Sequence, residues 1–140
     1  MGYFLHRPDG YDRFDLDRTL TIMERNGARR VARDVFDPTF ESTVSAVTVM
    51  ELAESSFDVV ESARSIMIHN SEALSDSVAQ LIFELMVDQR LVFHPELTES
   101  VLVPSEDAVP DDPYFTDSKV VHSWQELKQI ANYEDEEGFF

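Results

Sequence analysis

The chain contains no cysteine. Disulfides, cysteine-ligated zinc, iron–sulfur clusters and thiol nucleophiles are excluded, and a reducing cytoplasm is compatible with the composition. Glycine is scarce, with four in 140 residues, and none lies in a G-x-G-x-x-G, P-loop or G-x-S-x-G pattern. Loops that cradle phosphate need glycine for close backbone approach, so nucleotide-dependent chemistry is not indicated. Long apolar runs are missing too. None reaches the ~18 residues that a membrane helix requires. The N-terminal MGYFLHRPDG has no apolar signal core, and His6 stands where a myristoylation signal needs Ser or Thr. Basic residues are few: 11 Lys and Arg stand against 28 Asp and Glu, a net charge of −17.

What is present is a globular balance. Hydrophobic residues make up 43% and aromatics 11%, enough for one core at this length. The charge is uneven. Residues 1–33 hold seven arginines and a net +2, whereas residues 34–140 carry −19, offset only by Arg64, Arg90, Lys119 and Lys128. Such a field repels nucleic acid and anionic lipid and favours basic protein surfaces. Acidity that serves only solubility or a salty cytoplasm gives the same numbers.

The stretch from Asn70 to His94 organises the rest. Leu74, Val78, Leu81, Ile82, Leu85 and Met86 recur on one face of a 3.6-residue helix, with Asp76, Gln80, Glu84 and Asp88 opposite. Ser71 is its expected cap. Phe83 and Val87 widen the apolar face, so most of this helix is expected to be buried. The fold class expected is α+β, mainly α: four to five helices packed on a central buried helix over about residues 71–89, with a short β-hairpin over about 91–103.

The organisation around it reads as follows. Residues 1–14 form a hairpin turning at Pro8-Asp9-Gly10, or an arm that orders on a partner. Residues 15–133 form one α-rich domain. Asp15 or Asp17 caps a first helix that Asn26-Gly27 either ends or weakens, and Ala28, Val31, Ala32 and Val35 then resume helical spacing to Phe36. Residues 39–55 suit a helix through Met50-Glu51-Leu52-Ala53-Glu54, although the β-branched run from Thr43 to Val49 also suits a strand. Ser55 or Ser56 starts another helix on Val59, Val60, Ala63, Ile66 and Met67. Residues 104–117 are an acidic loop, Ser118–His122 a candidate strand, and Ser123-Trp124-Gln125-Glu126 a capping box for the last helix. Residues 134–140 form an acidic tail ending in Phe139-Phe140.

Motifs for catalysis are absent. His6, His69, His94 and His122 include no i, i+4 pair, so metal binding requires residues distant in sequence to converge in space. His94-Pro95-Glu96 is an isolated triplet. No calcium loop pattern is found, and nothing singles out two carboxylates among so many. No catalytic residue, metal ligand or cofactor is therefore assigned. Arg18, Arg25, Arg29 and Arg33 share a face if a helix runs through Gly27, with Arg30 nearby. That basic stripe suits docking onto an acidic surface, including a second copy of this chain, or pairing with acids of the chain itself.

The final eight residues resemble the acidic, aromatic-ended tails by which single-stranded-DNA-binding proteins recruit partners, without an accompanying OB-fold strand pattern. The element order over 38–103 resembles a winged helix at the level of topology alone, but its would-be recognition helix exposes acids and is unsuited to reading DNA. The expected function is a non-catalytic acidic protein that engages a basic partner surface, in its sharper form a phage-type inhibitor mimicking nucleic-acid charge. The expected contacts are Glu106, Asp107, Asp111, Asp112, Asp117, Glu134, Asp135, Glu136 and Glu137, with Phe139 and Phe140 as tail anchors. A structural or adaptor subunit of a virion-like assembly is the alternative, and a small metal-dependent enzyme the second. No direct nucleic-acid or membrane contact is expected, and the expected location is the cytoplasm or a virion.

Overall fold

The computed structural model describes residues 2–10, 12–36, 45–70, 73–95 and 99–137. Strand β1 is Gly2–His6, helix α1 Leu16–Arg25, β2 Arg29–Phe36, β3 Ser45–Leu52, β4 Ser55–Val60 and β5 Ile66–Asn70. Helix α2 is Asp76–Gln89, β6 Val92–Pro95, β7 Ser100–Val103, β8 Asp117–Val120 and helix α3 Trp124–Glu137. The eight strands form one sheet in the order β2-β3-β4-β5-β1-β6-β7-β8. All neighbours are antiparallel except β7 and β8, which run parallel.

This overturns the expectation of a mainly α fold. Among the described residues three helices, not four or five, pack against an extensive mixed sheet. The corrections fall mostly between residues 28 and 70. The first helix ends at Arg25 because Gly27 adopts φ +94°. Its N–H reaches the Glu24 carbonyl, and the Ala28 N–H reaches that of Met23. This is a Schellman ending, which turns the chain out of the helix. Residues 29–36 then extend as the edge strand β2. Within the expected 39–55 helix, residues 45–52 are strand β3; residues 39–44 lie outside the described residues. The expected helix from Ser55 is the antiparallel pair β4–β5, whose buried residues alternate: Ser55, Phe57 and Val59, then Ile66, Ile68 and Asn70.

The N-terminal segment is also relocated. β1 pairs with β5 on one side and β6 on the other. Among the described residues no strand follows Pro8-Asp9-Gly10 to pair with it there.

The organising helix is present but shorter. α2 starts after Ser75, whose side chain accepts the Val78 N–H at 3.4 Å; Ser71 lies outside the described residues. Val78, Leu81, Ile82, Leu85 and Met86 are fully buried, whereas Val87 is 56% exposed. The core therefore takes one stripe of α2 rather than most of its girth. Ser123 caps α3, accepting the Glu126 N–H at 3.1 Å, and Leu127 and Ala131 face inward. The expected hairpin over 91–103 forms through Phe93 opposite Leu102.

The helices line one face of the sheet. Leu5, Phe57, Ile68 and Phe93 share a single core with Met23 of α1, Leu85 of α2 and Leu127 of α3. On the opposite face a smaller cluster of Val92, Val101, Val103 and Ala108 is flanked by Phe115 and Val120. The acidic segment 104–116 lays Ala108 and Phe115 over that face while joining the parallel strands β7 and β8. Parallel neighbours need such a crossover, usually a dozen residues or more.

Candidate functional site

Beneath this acidic crossover, β1 and β6 bring together two histidines distant in sequence. Phe4 stands opposite His94 and His6 opposite Val92. Tyr3 and Leu5 enter the helix-side core, so strand alternation sends Phe4 and His6 to the other face, where His94 joins them. The His6 and His94 Nε2 atoms lie 2.9 Å apart. His6 Nδ1 is 2.7 Å from the carbonyl oxygen of Arg7, and His94 Nδ1 is 3.0 Å from that of Pro95.

Aromatic rings enclose the pair. Phe115 lies 4.9 Å from His94 and 6.0 Å from His6, and Phe4 lies 5.4 Å from His94, centroid to centroid. Tyr114 packs edge-on against Phe115. His94 is 9% exposed. Burial pushes its basicity down to about 4, against the hydrogen bond to Pro95 and reinforced by repulsion from a charged His6. Burial also lowers His6, opposed by the Arg7 carbonyl and by the Asp112 carboxylate.

The acidic residues expected to meet a partner fall in two places, on or just past the crossover over this centre and at the end of α3, on the helix side of the sheet. Glu106 and Asp107 occupy a short 3-10 turn, Glu106–Ala108. Arg90 donates to the Asp107 carbonyl at 2.6 Å, and its guanidinium lies 3.6 Å from the Asp107 carboxylate. The Ser105 hydroxyl donates to the same carboxylate and, with Arg90, lowers its pKa. Asp111 and Asp112 line an open cavity of about 670 Å³ with Pro8, Asp9, Gly10 and Val109. Asp112 also accepts the Tyr114 N–H at 2.9 Å, fixing the turn that presents Phe115. Asp117 starts β8 and is exposed. Glu134, Asp135, Glu136 and Glu137 fall on the last turns of α3; Phe139 and Phe140 lie outside the described residues.

The basic stripe does not exist as a helix face. Arg18 and Arg25 lie on α1, whereas Arg29, Arg30 and Arg33 lie on β2. Arg18 grips Asp88 through Nε and Nη2, both at 2.6 Å. Arg25 pairs with Glu84, and Arg33 with Glu61 at 2.6 Å. Lys128 reaches Asp76 at 2.7 Å. Arg29 and Arg30 are exposed along the sheet edge.

The histidine pair was not legible as a pair. Its members are 88 residues apart and meet only because β1 inserts beside β6. Among the described residues no three His, Cys, Asp or Glu side chains cluster as metal ligands, and no helix is long and apolar enough to cross a membrane. No protein-family model matches the chain, and comparisons with curated proteins and with solved structures return no match.

Proposed function

We propose that this chain is a non-catalytic binding protein whose acidic crossover engages a basic surface of a partner protein. The carrying observation is how its charges are arranged. Arg18, Arg25, Arg33, Arg90 and Lys128 each lie in an ion pair within the chain. These pairs occupy five of the eleven cations and only five of the 28 acids, so the remaining acids stay in large excess within a net charge of −17. Glu106, Asp111 and Asp112 are exposed along one crossover, with Asp117 just past it, and Arg90 ties that crossover to the end of α2 while Phe115 packs it on the sheet. Held in place, such a row loses little entropy on docking and favours a basic partner at long range. A surface that otherwise holds a nucleic-acid backbone has the matching sign.

The test is capture from an extract of the native source on immobilised protein, with a Glu106→Gln, Asp111→Asn, Asp117→Asn variant alongside. A partner retained at low salt, eluted by high salt and lost by the variant supports the reading. A partner that the variant retains equally, or whose retention ignores salt, overturns it.

A second reading, an assembly subunit, is favoured by the two ends of the sheet. β2 and β8 are its edge strands. β2 exposes Arg29 and Arg30, and β8 exposes Asp117 beside Lys119. Two open edge strands suit head-to-tail addition of copies. Light scattering that stays monomeric as concentration rises excludes it.

A further inference from the structure

The ring nitrogens of His6 and His94 pose a counting problem. Each Nδ1 faces a carbonyl oxygen, which only accepts, so each Nδ1 must carry a proton. A neutral imidazole has one ring proton, so both Nε2 atoms are then bare lone pairs. Those lone pairs face one another at 2.9 Å. Exchanging the tautomer of either ring only moves the clash to its carbonyl. The three contacts together require one positive charge that two neutral rings do not supply.

We propose that His6 and His94 are the protein ligands of a divalent first-row transition-metal ion, bound by both Nε2 atoms. One feature chooses a metal over a shared proton: an Nδ1–H tied to a backbone carbonyl, leaving Nε2 to the ion, is the usual outer-shell arrangement of a metal-binding histidine, and both rings show it.

The spacing narrows the ion. Nitrogens about 2.0–2.1 Å from a common ion and 2.9 Å apart subtend close to a right angle there. A right angle suits neighbouring positions of an octahedral or tetragonal centre more than a tetrahedral one, and among such ions imidazole donors bind nickel and copper(II) most tightly. With no third His, Cys, Asp or Glu clustered beside them among the described residues, the remaining positions go to water or to a donor from a bound molecule. Asp112, whose carboxylate acts electrostatically on His6, lowers the cost of the added charge. The site is independent of the acidic-crossover reading.

Titration of chelator-stripped full-length protein with Ni²⁺ and with Cu²⁺ tests this, followed by calorimetry and by the visible absorption of the metal–imidazole centre. One ion per chain is expected. His6→Gln and His94→Gln should each weaken binding more than about a hundredfold, while His69→Gln and His122→Gln should leave it unchanged. If His94→Gln does not fold, wild-type histidine ring nitrogen resonances decide instead, read with and without diamagnetic Zn²⁺. Zn²⁺ should move the Nε2 signals of His6 and His94 and leave both Nδ1 atoms protonated. Absence of saturable binding overturns the proposal. So does binding that survives both His6→Gln and His94→Gln, or a ring-nitrogen spectrum showing one proton shared between the rings and indifferent to metal.

Discussion

Gln89, in the last turn of α2, holds the start of α1 through both ends of its amide. Its Oε1 accepts the Asp15 N–H at 2.6 Å, and its Nε2 donates to the Thr19 hydroxyl. Both Gln89 and Thr19 are buried, so neither bond is readily replaced by water. Gln89→Ala is expected to lower the unfolding free energy by about 2–3 kcal/mol, because two partners lose their hydrogen bonds at once. Gln89→Met, which keeps the volume but not the amide, should cost nearly as much. Urea denaturation of both variants checks this; a Met variant as stable as wild type would assign the effect to packing.

α2 separates two apolar residues that look equivalent in sequence. Leu85 is fully buried and Val87 is 56% exposed. Leu85→Ala should cost about 2–5 kcal/mol through lost burial and the cavity left behind. Val87→Ala should change stability by less than about 0.5 kcal/mol. Thermal unfolding of the two variants reads the difference directly.

Ala53 turns the chain between β3 and β4 with φ 52°. A left-handed conformation costs a residue with a Cβ roughly 1–2 kcal/mol, and glycine escapes it at some entropic cost. Ala53→Gly is therefore expected to stabilise the protein by about 0.5–1 kcal/mol. Ala53→Val, which adds β-branching at a positive φ, should destabilise it. Opposite shifts in melting temperature are the signature.

In metal-free protein, acid should reach the histidine pair before the carboxylates. His94 falls from the ordinary 6.5 to about 4 in the folded chain, so the unfolded chain binds its proton more readily. Stability is then lost as pH falls from about 6.5 towards 4, by up to about 3 kcal/mol from this group. Asp88, Glu61 and Asp107 have lowered values, so the stability they contribute is lost only as pH falls below the ordinary carboxylate range. His94→Gln should flatten the upper window and leave the lower one in place. Equilibrium denaturation across that pH range distinguishes the two.

The sequence carried some of this architecture and hid the rest for identifiable reasons. The α2 stripe, the Asp15 and Ser123 caps and the pairing of β6 with β7 were all visible as local pattern. The β2–β5 strands were not, because Ala28, Val31, Ala32 and Val35 match helical spacing while the chain is extended. Val31 is in fact 44% exposed. Alternation in Ser55–Val60 and Ile66–Asn70 was the better signal. It was masked because the intervening turns lack Gly, Asn or Pro in the usual places. Ala53 and Ala63 take positive φ instead, and alanine announces no turn. The arginines were expected on one helix face, but Gly27 splits them between α1 and the sheet edge. The His6–His94 contact has no local signature at all, since it depends on β1 lying between β5 and β6.

That placement of β1 also sets the order of folding. β1 pairs with Met67 and with His94, both far along the chain, so it waits for them before either side is filled. Closure across such separations is slow, and until it happens β5 and β6 both present open hydrogen-bonding edges. A chain lacking its first six residues would keep that slot vacant between two partial sheets, and a short peptide of the same sequence, supplied separately, is the piece shaped to close it.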